Sequence, residues 1–198
     1  MEINSGSPYN KHGHDQIKIC VSGSADTAPF GLGTLDIAKE LGREIARQGA
    51  VLVTGATTGF PFWVAMGAKE EGGISIGFSP AASEKEHVEV YKLPIDYMDL
   101  ITYTGFGYPG RDLLLTRSSD AVIFGPGRIG TIHEFTVAFE DAKPIGVLEG
   151  PWPTSEELKD IVAKGHRPND KIIYGKDIKK LVADIIVLVK KSKIDEHK

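Results

Sequence analysis

Short apolar segments alternate with longer segments of helical periodicity between residues 17 and 191. The short segments are rich in β-branched residues, which is typical of strands, whereas the longer ones repeat their apolar residues every three or four positions. This alternation predicts parallel βαβ units. The strands are predicted at 17–22, 50–54, 74–78, 100–103, 121–124, 144–148 and 171–174, and the helices at 35–48, 61–71, 111–118, 131–140, 155–164 and 177–191.

Two of the predicted strands contain runs that are apolar at every position, 51–53 and 121–124. A parallel sheet needs such strands when helices cover both of its faces. The sequence therefore predicts an α/β fold, a Rossmann-like, doubly wound parallel sheet in three layers. In such sheets ligands bind beyond the carboxyl ends of the strands, where the strand order reverses. The prediction comprises one domain at 17–193, a flexible leader at 1–16, a polar loop at 79–99 and a polar tail at 194–198.

The composition narrows the possible partners and the compartment. With 23 basic and 27 acidic residues the formal charge is −4, which does not favour a nucleic-acid partner. Neither a signal peptide nor a stretch of membrane-spanning length is recognisable, so we expect a cytoplasmic protein without a membrane partner. The single cysteine, Cys20, lies in an apolar strand and is predicted to be a buried, inert thiol. No metal site is predicted, although His12 and His14 remain an alternative.

Four loops that follow predicted strands are rich in glycine and small residues. Glycine allows backbone N–H groups to approach a phosphate closely, and the start of a following helix adds free donors and partial positive charge. Tight turns also need glycine, but four such loops at one sheet edge favour a site for a phosphate-bearing nucleotide or a nucleotide-like small molecule. The predicted binding residues are Gly23, Ser24, Gly55, Thr57, Gly59, Gly105, Gly107, Gly127, Arg128, Gly130 and Thr131.

The loop and helix start at 126–134 carry the most specific motif, Pro-Gly-Arg-Ile-Gly-Thr-Ile-His-Glu. It resembles the Pro-Gly-Gly-x-Gly-Thr-x-x-Glu signature of the Lonely Guy family, nucleotide phosphoribohydrolases formerly described as lysine decarboxylases. Arg111 precedes Glu134 by the spacing that the family motif carries. A weaker resemblance extends over residues 17–150, and residues 104–111 look closer to molybdenum-cofactor carriers and a DNA-processing-related branch of the same superfamily. The motif matches at Pro126, Gly127, Gly130, Thr131 and Glu134.

The sequence departs from the family pattern at three places. Arg128 replaces the second glycine of the signature, where it is either a second phosphate contact or a solvated cation. Asp112 stands where the family commonly has Asn or Lys, and the turn at 55–59 has fewer glycines than the family turn. The identity of the substrate therefore does not follow from the resemblance.

The resemblance implies hydrolysis of the N-glycosidic bond of a nucleoside 5′-monophosphate, which releases a free base and ribose 5-phosphate. In this interpretation Glu134 stabilises a ribosyl cation and activates water, and Arg111 binds phosphate or polarises the base. Gly127, Gly130 and Thr131 hold the phosphate, without a cofactor. A homodimer is expected, because related families generally pair through helices beside the site and the helix at 131–140 is apolar on more than one face.

Several alternatives remain open on the sequence alone. The first is a carrier or sensor that binds a phosphate-bearing ligand, such as molybdenum cofactor, without turnover. The second assigns Thr131 and Glu134 to a capping box, in which the two side chains cap the first helical turn reciprocally. Residues 154–157 show the same Thr-x-x-Glu spacing without nearby chemistry. A dinucleotide-dependent dehydrogenase is disfavoured because no Gly-x-Gly-x-x-Gly follows the first strand.

Overall fold

A computed structural model describes residues 16–31, 33–167 and 169–196. Most of the predicted leader, including His12 and His14, lies outside the described residues. Within them, seven strands form one parallel sheet. The strands are β1 (Lys18–Ser22), β2 (Val51–Thr54), β3 (Ser75–Ser79), β4 (Leu100–Tyr103), β5 (Ala121–Phe124), β6 (Ile145–Leu148) and β7 (Ile172–Gly175).

The strand order is β4-β3-β2-β1-β5-β6-β7. The chain builds outward from β1 to the edge strand β4, and then returns so that β5 pairs with the other side of β1. The connections therefore leave β1 and β5 in opposite directions, which opens a crevice between the loops that follow these two strands.

Helices cover both faces of the sheet. On one face α1 (Thr34–Arg47), α2 (Phe60–Glu70) and α7 (Ile178–Glu196) pack against Ile19, Val21 and Ile123. On the other face α4 (Gly107–Ser118), α5 (Ile129–Glu140) and α6 (Thr154–Lys164) pack against Cys20, Val122 and Phe124. Neighbouring positions of β1 and β5 thus enter opposite apolar layers, which explains the apolar runs at 19–21 and 121–124 and confirms the predicted three-layer Rossmann-like fold.

The structure corrects several predicted boundaries. The predicted polar loop contains a short helix, α3 (Glu84–Glu89), which Ser83 caps by accepting from the Glu86 N–H. Helix α4 begins at Gly107 rather than Arg111, because the first turn tolerates Pro109, whose missing N–H would have no partner there. Helix α5 begins at Ile129 rather than Thr131, and a 3₁₀ turn (Ala28–Phe30) precedes α1.

Cys20 is fully buried, and burial raises the pKa of its thiol well above the ordinary value. On α5 the side chains of Phe135 and Ala138 are buried within the single chain. The homodimer stays a prediction. None of the helices that the structure describes combines the length and the apolar character needed to cross a membrane.

Candidate functional site

A cavity of about 610 Å³ opens at the carboxyl ends of β1 and β5, where the strand order reverses. Its wall is formed by the loops after β1 and β2, the start of α5 and one side of α4. Most of the predicted site residues lie around it. The lining residues that the sequence predicted are Gly23, Ser24, Gly55, Thr57, Arg111, Arg128, Gly130, Thr131 and Glu134.

Four of the predicted glycines do not line this cavity. Gly59 has a φ of +70° and lies against the backbone of the β1 loop, leaving no room for a Cβ there. Gly105 and Gly107 follow the edge strand β4, three strands away from β1. The N–H of Gly127 donates to Thr154 Oγ1 at 2.9 Å. Gly59 and Gly127 therefore shape loops beside the cavity, and none of the four glycines forms part of its surface.

The first turn of α5 lies at the cavity, with Ile129, Gly130 and Thr131 in the lining. The first N–H groups of a helix have no acceptor within it and carry the positive end of the helix dipole. A Cβ added at Gly130 would meet no atom within 4 Å, so there is open space beside Gly130. Because Thr131 is the third residue of the helix, it cannot act as the N-cap of a capping box.

Arg111 is 5% exposed and connects α4 to the ends of two strands. Its Nη1 donates to the carbonyl oxygen of Gly55 and, at 3.3 Å, to that of Phe78. A Cβ at position 55 would collide with the guanidinium, which explains the glycine there. Nε donates to Asp112 Oδ1 at 2.9 Å, and the guanidinium carbon lies 5.7 Å from the centre of the Tyr108 ring. Arg111 therefore links α4 to the ends of β2 and β3, and it also gives the cavity floor a positive charge.

Glu134 is 7% exposed and projects from α5 towards β1. Ser22, the last residue of β1, donates its hydroxyl to Glu134 Oε2. Burial raises the pKa of Glu134 to about 7, and the nearby charge of Asp112 raises it too, against the opposing effect of Arg111. This pKa lies well above the ordinary value of glutamate, 4.5.

Asp112 extends the polar cluster towards solvent. Its Oδ2 lies 3.1 Å from Nδ1 of His133, whose side chain is 43% exposed and outside the cavity lining. Arg128 lies at the mouth of the cavity with a side chain that is 59% exposed, and its Nη1 is 3.6 Å from Asp26 Oδ2. The residue that replaces the family glycine is thus an exposed cation at the entrance rather than part of the floor.

Three polar residues of the cavity were not predicted as site residues: Ser22, Tyr108 and Asp112. Ser22 ends β1 at the strand edge where ligands bind, so its position was a usable signal. Asp112 adjoins Arg111, and its burial depends on the start of α4 at Gly107, which the sequence did not predict. Within the described ranges no cluster of three or more His, Cys, Asp or Glu side chains has an arrangement that could hold a metal ion.

The fold and the cavity at its strand-order reversal define a Rossmann-like ligand-binding protein. The chain belongs to the SLOG cluster4 family, whose model matches residues 16–182. It is 32% identical to an uncharacterized protein of Archaeoglobus fulgidus over 118 residues. The alignment spans 60% of this chain and 72% of that protein. The predicted relationship to the superfamily of Lonely Guy proteins and molybdenum-cofactor carriers is confirmed.

Solved structures place the chain beside proteins that bind different ligands. The molybdenum cofactor carrier protein of Chlamydomonas reinhardtii is 28% identical, with a TM-score of 0.70 over 88% of this chain and 99% of that one. The molybdenum cofactor binding protein of Rippkaea orientalis is 27% identical, with a TM-score of 0.69 over 90% and 98%. DNA processing protein A of Helicobacter pylori, which binds single-stranded DNA, shares the fold at 20% identity and a TM-score of 0.60 over 88% and 81%. The exclusion of nucleic acid stays a prediction.

Proposed function

We propose that the protein binds and carries a phosphate-bearing small molecule, with the phosphate at the first turn of α5. The observation that carries this proposal is that the first turn of α5 lines the cavity between the ends of β1 and β5, with open space beside Gly130. Free N–H groups and the helix dipole favour an anion there. Arg128 at the cavity mouth adds a flexible positive charge.

The hydrogen bonds at the cavity floor support binding of a ligand without turnover. The guanidinium of Arg111 already donates to two backbone carbonyls and to Asp112, and Glu134 already accepts from Ser22. Groups engaged in this way hold a rigid floor for a ligand. The likeness to the molybdenum-cofactor proteins of Chlamydomonas reinhardtii and Rippkaea orientalis supports molybdenum cofactor as one of the candidate ligands.

Titration of AMP into Gly130→Asp and Gly130→Asn variants tests the phosphate position. We expect Gly130→Asp to lose about 100-fold or more in affinity, because two negative charges about 4 Å apart repel by about 4 kcal/mol at an effective dielectric constant of 20. The same carboxylate should raise stability by about 0.3–1 kcal/mol, since it lies at a helix N-terminus. Calorimetric titration and thermal melting give the two values.

Gly130→Asn is the matched control, because it has the same shape without the charge and should bind AMP within about threefold of the wild type. Equal affinities of the Asp and Asn variants would contradict the proposal, as would wild-type protein that binds no phosphate compound. Mass spectrometry of material retained through purification identifies the natural ligand among phosphate-bearing compounds.

One observation favours a second candidate, hydrolysis of nucleoside 5′-monophosphates. Glu134 lines the same cavity, and its pKa of about 7 suits a group that exchanges protons near neutral pH. If Glu134 stabilises a ribosyl cation, Glu134→Gln should lower turnover about 10²- to 10³-fold, which corresponds to about 3–4 kcal/mol. Chromatography of free base released from a panel of monophosphates measures this, and absence of release by the wild type contradicts the hydrolase.

A further inference from the structure

Two carboxyl groups and one guanidinium meet at the floor of the cavity. Asp112 and Glu134 come from α4 and α5, and both are buried. Asp112 Oδ1 accepts from Arg111 Nε at 2.9 Å, and Arg111, Asp112 and Glu134 all line the same cavity. An ionised carboxylate only accepts hydrogen bonds, so two ionised carboxylates in one site cannot stabilise each other unless one of them takes up a proton.

The count of charges at the floor favours a proton on one of the two carboxyl groups. Arg111 balances the charge of one carboxylate, and its partner by distance is Asp112. A second carboxylate buried beside this ion pair would have no compensating charge, and burial of an unpaired ion is costly. Like charges that share one site make the uptake of a proton by one of them favourable.

We propose that Asp112 and Glu134 share a single proton, and that Asp112 thereby couples anion binding in this cavity to protonation. With the proton present the floor is close to neutral, and an anion at the start of α5 meets little repulsion. With the proton lost the floor carries a net negative charge that opposes the anion. The binding half of this inference rests on the proposed function, whereas the shared proton does not.

The other groups that face Glu134 do not provide a second compensating charge. From β1 the Ser22 hydroxyl donates to it, and burial raises the pKa of the nearby Cys20 thiol. From α4, Arg111 and Asp112 line the same cavity. On its own helix the adjacent His133 turns to Asp112 at the surface side of the cluster. The raised pKa of Glu134 agrees with the shared proton.

Carbon-13 NMR of side-chain carboxyls in the ligand-free protein tests the shared proton directly. In the wild type we expect the Glu134 carboxyl to titrate near pH 7. Asp112→Asn keeps an acceptor for Arg111 Nε and removes one charge, so this titration should move down by at least about one pH unit. An unchanged Glu134 titration in Asp112→Asn would overturn the inference, because burial alone would then account for it.

His133→Gln separates the carboxyl pair from the histidine, whose ring faces Asp112. The carboxyl titration near pH 7 should remain in this variant, with its midpoint moved by less than about half a pH unit. Loss of that titration would assign it to the histidine and would also overturn the inference. Circular dichroism of each variant verifies that the fold is retained.

Sulfate tests the coupling to binding, because it stays a dianion between pH 5.5 and 9, roughly, where a phosphate would itself titrate. Wild-type affinity should fall by up to about tenfold per pH unit above pH 7, as expected when one proton accompanies the anion. The decline should begin at lower pH in Asp112→Asn and disappear in Glu134→Gln.

A pH-independent wild-type affinity for sulfate would contradict the coupling while the proposed function stands. Absence of sulfate and AMP binding at any pH would instead contradict the proposed function, and the carboxyl titration would still decide the shared proton.

Discussion

The first turns of α5 and α6 carry the same Thr-x-x-Glu spacing and use it differently. On α5, Thr131 lines the cavity, and Glu134 is buried and accepts a hydrogen bond from Ser22. On α6, Thr154 is buried but binds the loop after β5, and Glu157 is exposed. Neither pair forms a capping box, since neither threonine precedes its helix.

The difference between the two turns comes from what each helix faces. Helix α5 starts at the reversal of strand order, so its first turn borders open space between β1 and β5. Helix α6 starts against the loop that leads into α5, and Thr154 Oγ1 accepts the N–H of Gly127 within that loop. The first turn of α6 thus supports the loop that leads into α5, while residues 154–157 themselves do not line the cavity.

The largest expected difference between the two glutamates lies in how stability depends on pH. The folded-state pKa of Glu134, about 7, lies above the ordinary value of 4.5, so the protonated group stabilises the fold below pH 4.5. This contribution is lost as the pH rises to about 7. We expect Glu134→Gln to match the wild type near pH 4.5 and to exceed it by about 3 kcal/mol above pH 7.

Urea unfolding at pH 4.5, 6 and 8, roughly, measures this contribution. Glu157→Gln is the matched control on α6, and its stability should follow that of the wild type within about 0.5 kcal/mol at every pH. If the free energy of unfolding depends on pH in the same way in the wild type and in Glu134→Gln, the expected difference between the two glutamates is contradicted.

A smaller effect is expected for the two threonines. Thr154→Val removes the acceptor of the Gly127 N–H and leaves a buried donor unpaired, which should cost about 1–3 kcal/mol of stability. Thr131→Val is the matched control, because Thr131 is similarly buried yet lines the cavity. Thr131→Val should lower the free energy of unfolding less than Thr154→Val does, and it should weaken AMP binding more. Urea unfolding and calorimetry of both variants measure this, and the reverse ranking would contradict the assigned roles.

The sequence was sufficient for the strands, because a short, uninterrupted apolar run such as that of β5 is typical of a parallel strand buried on both faces. It did not predict α3, whose six residues are mainly charged and too few to show a helical period. At the site, the motif marked Glu134 but not Ser22, which lies 112 positions earlier and is joined to it only by the pairing of β1 with β5. Likewise, Gly55 resembles a phosphate-binding glycine in sequence, whereas in the fold it admits the Arg111 guanidinium.

Amide chemical shifts during an AMP titration test most directly whether α5, and not α6, holds the phosphate. The N–H signals of Ile129, Gly130 and Thr131 should shift most and saturate with the calorimetric affinity, because a phosphate at this turn accepts their hydrogen bonds. Those of Ser155 and Glu156 on α6 should change little. Shifts centred on the start of α6, or none at either turn, would contradict the account.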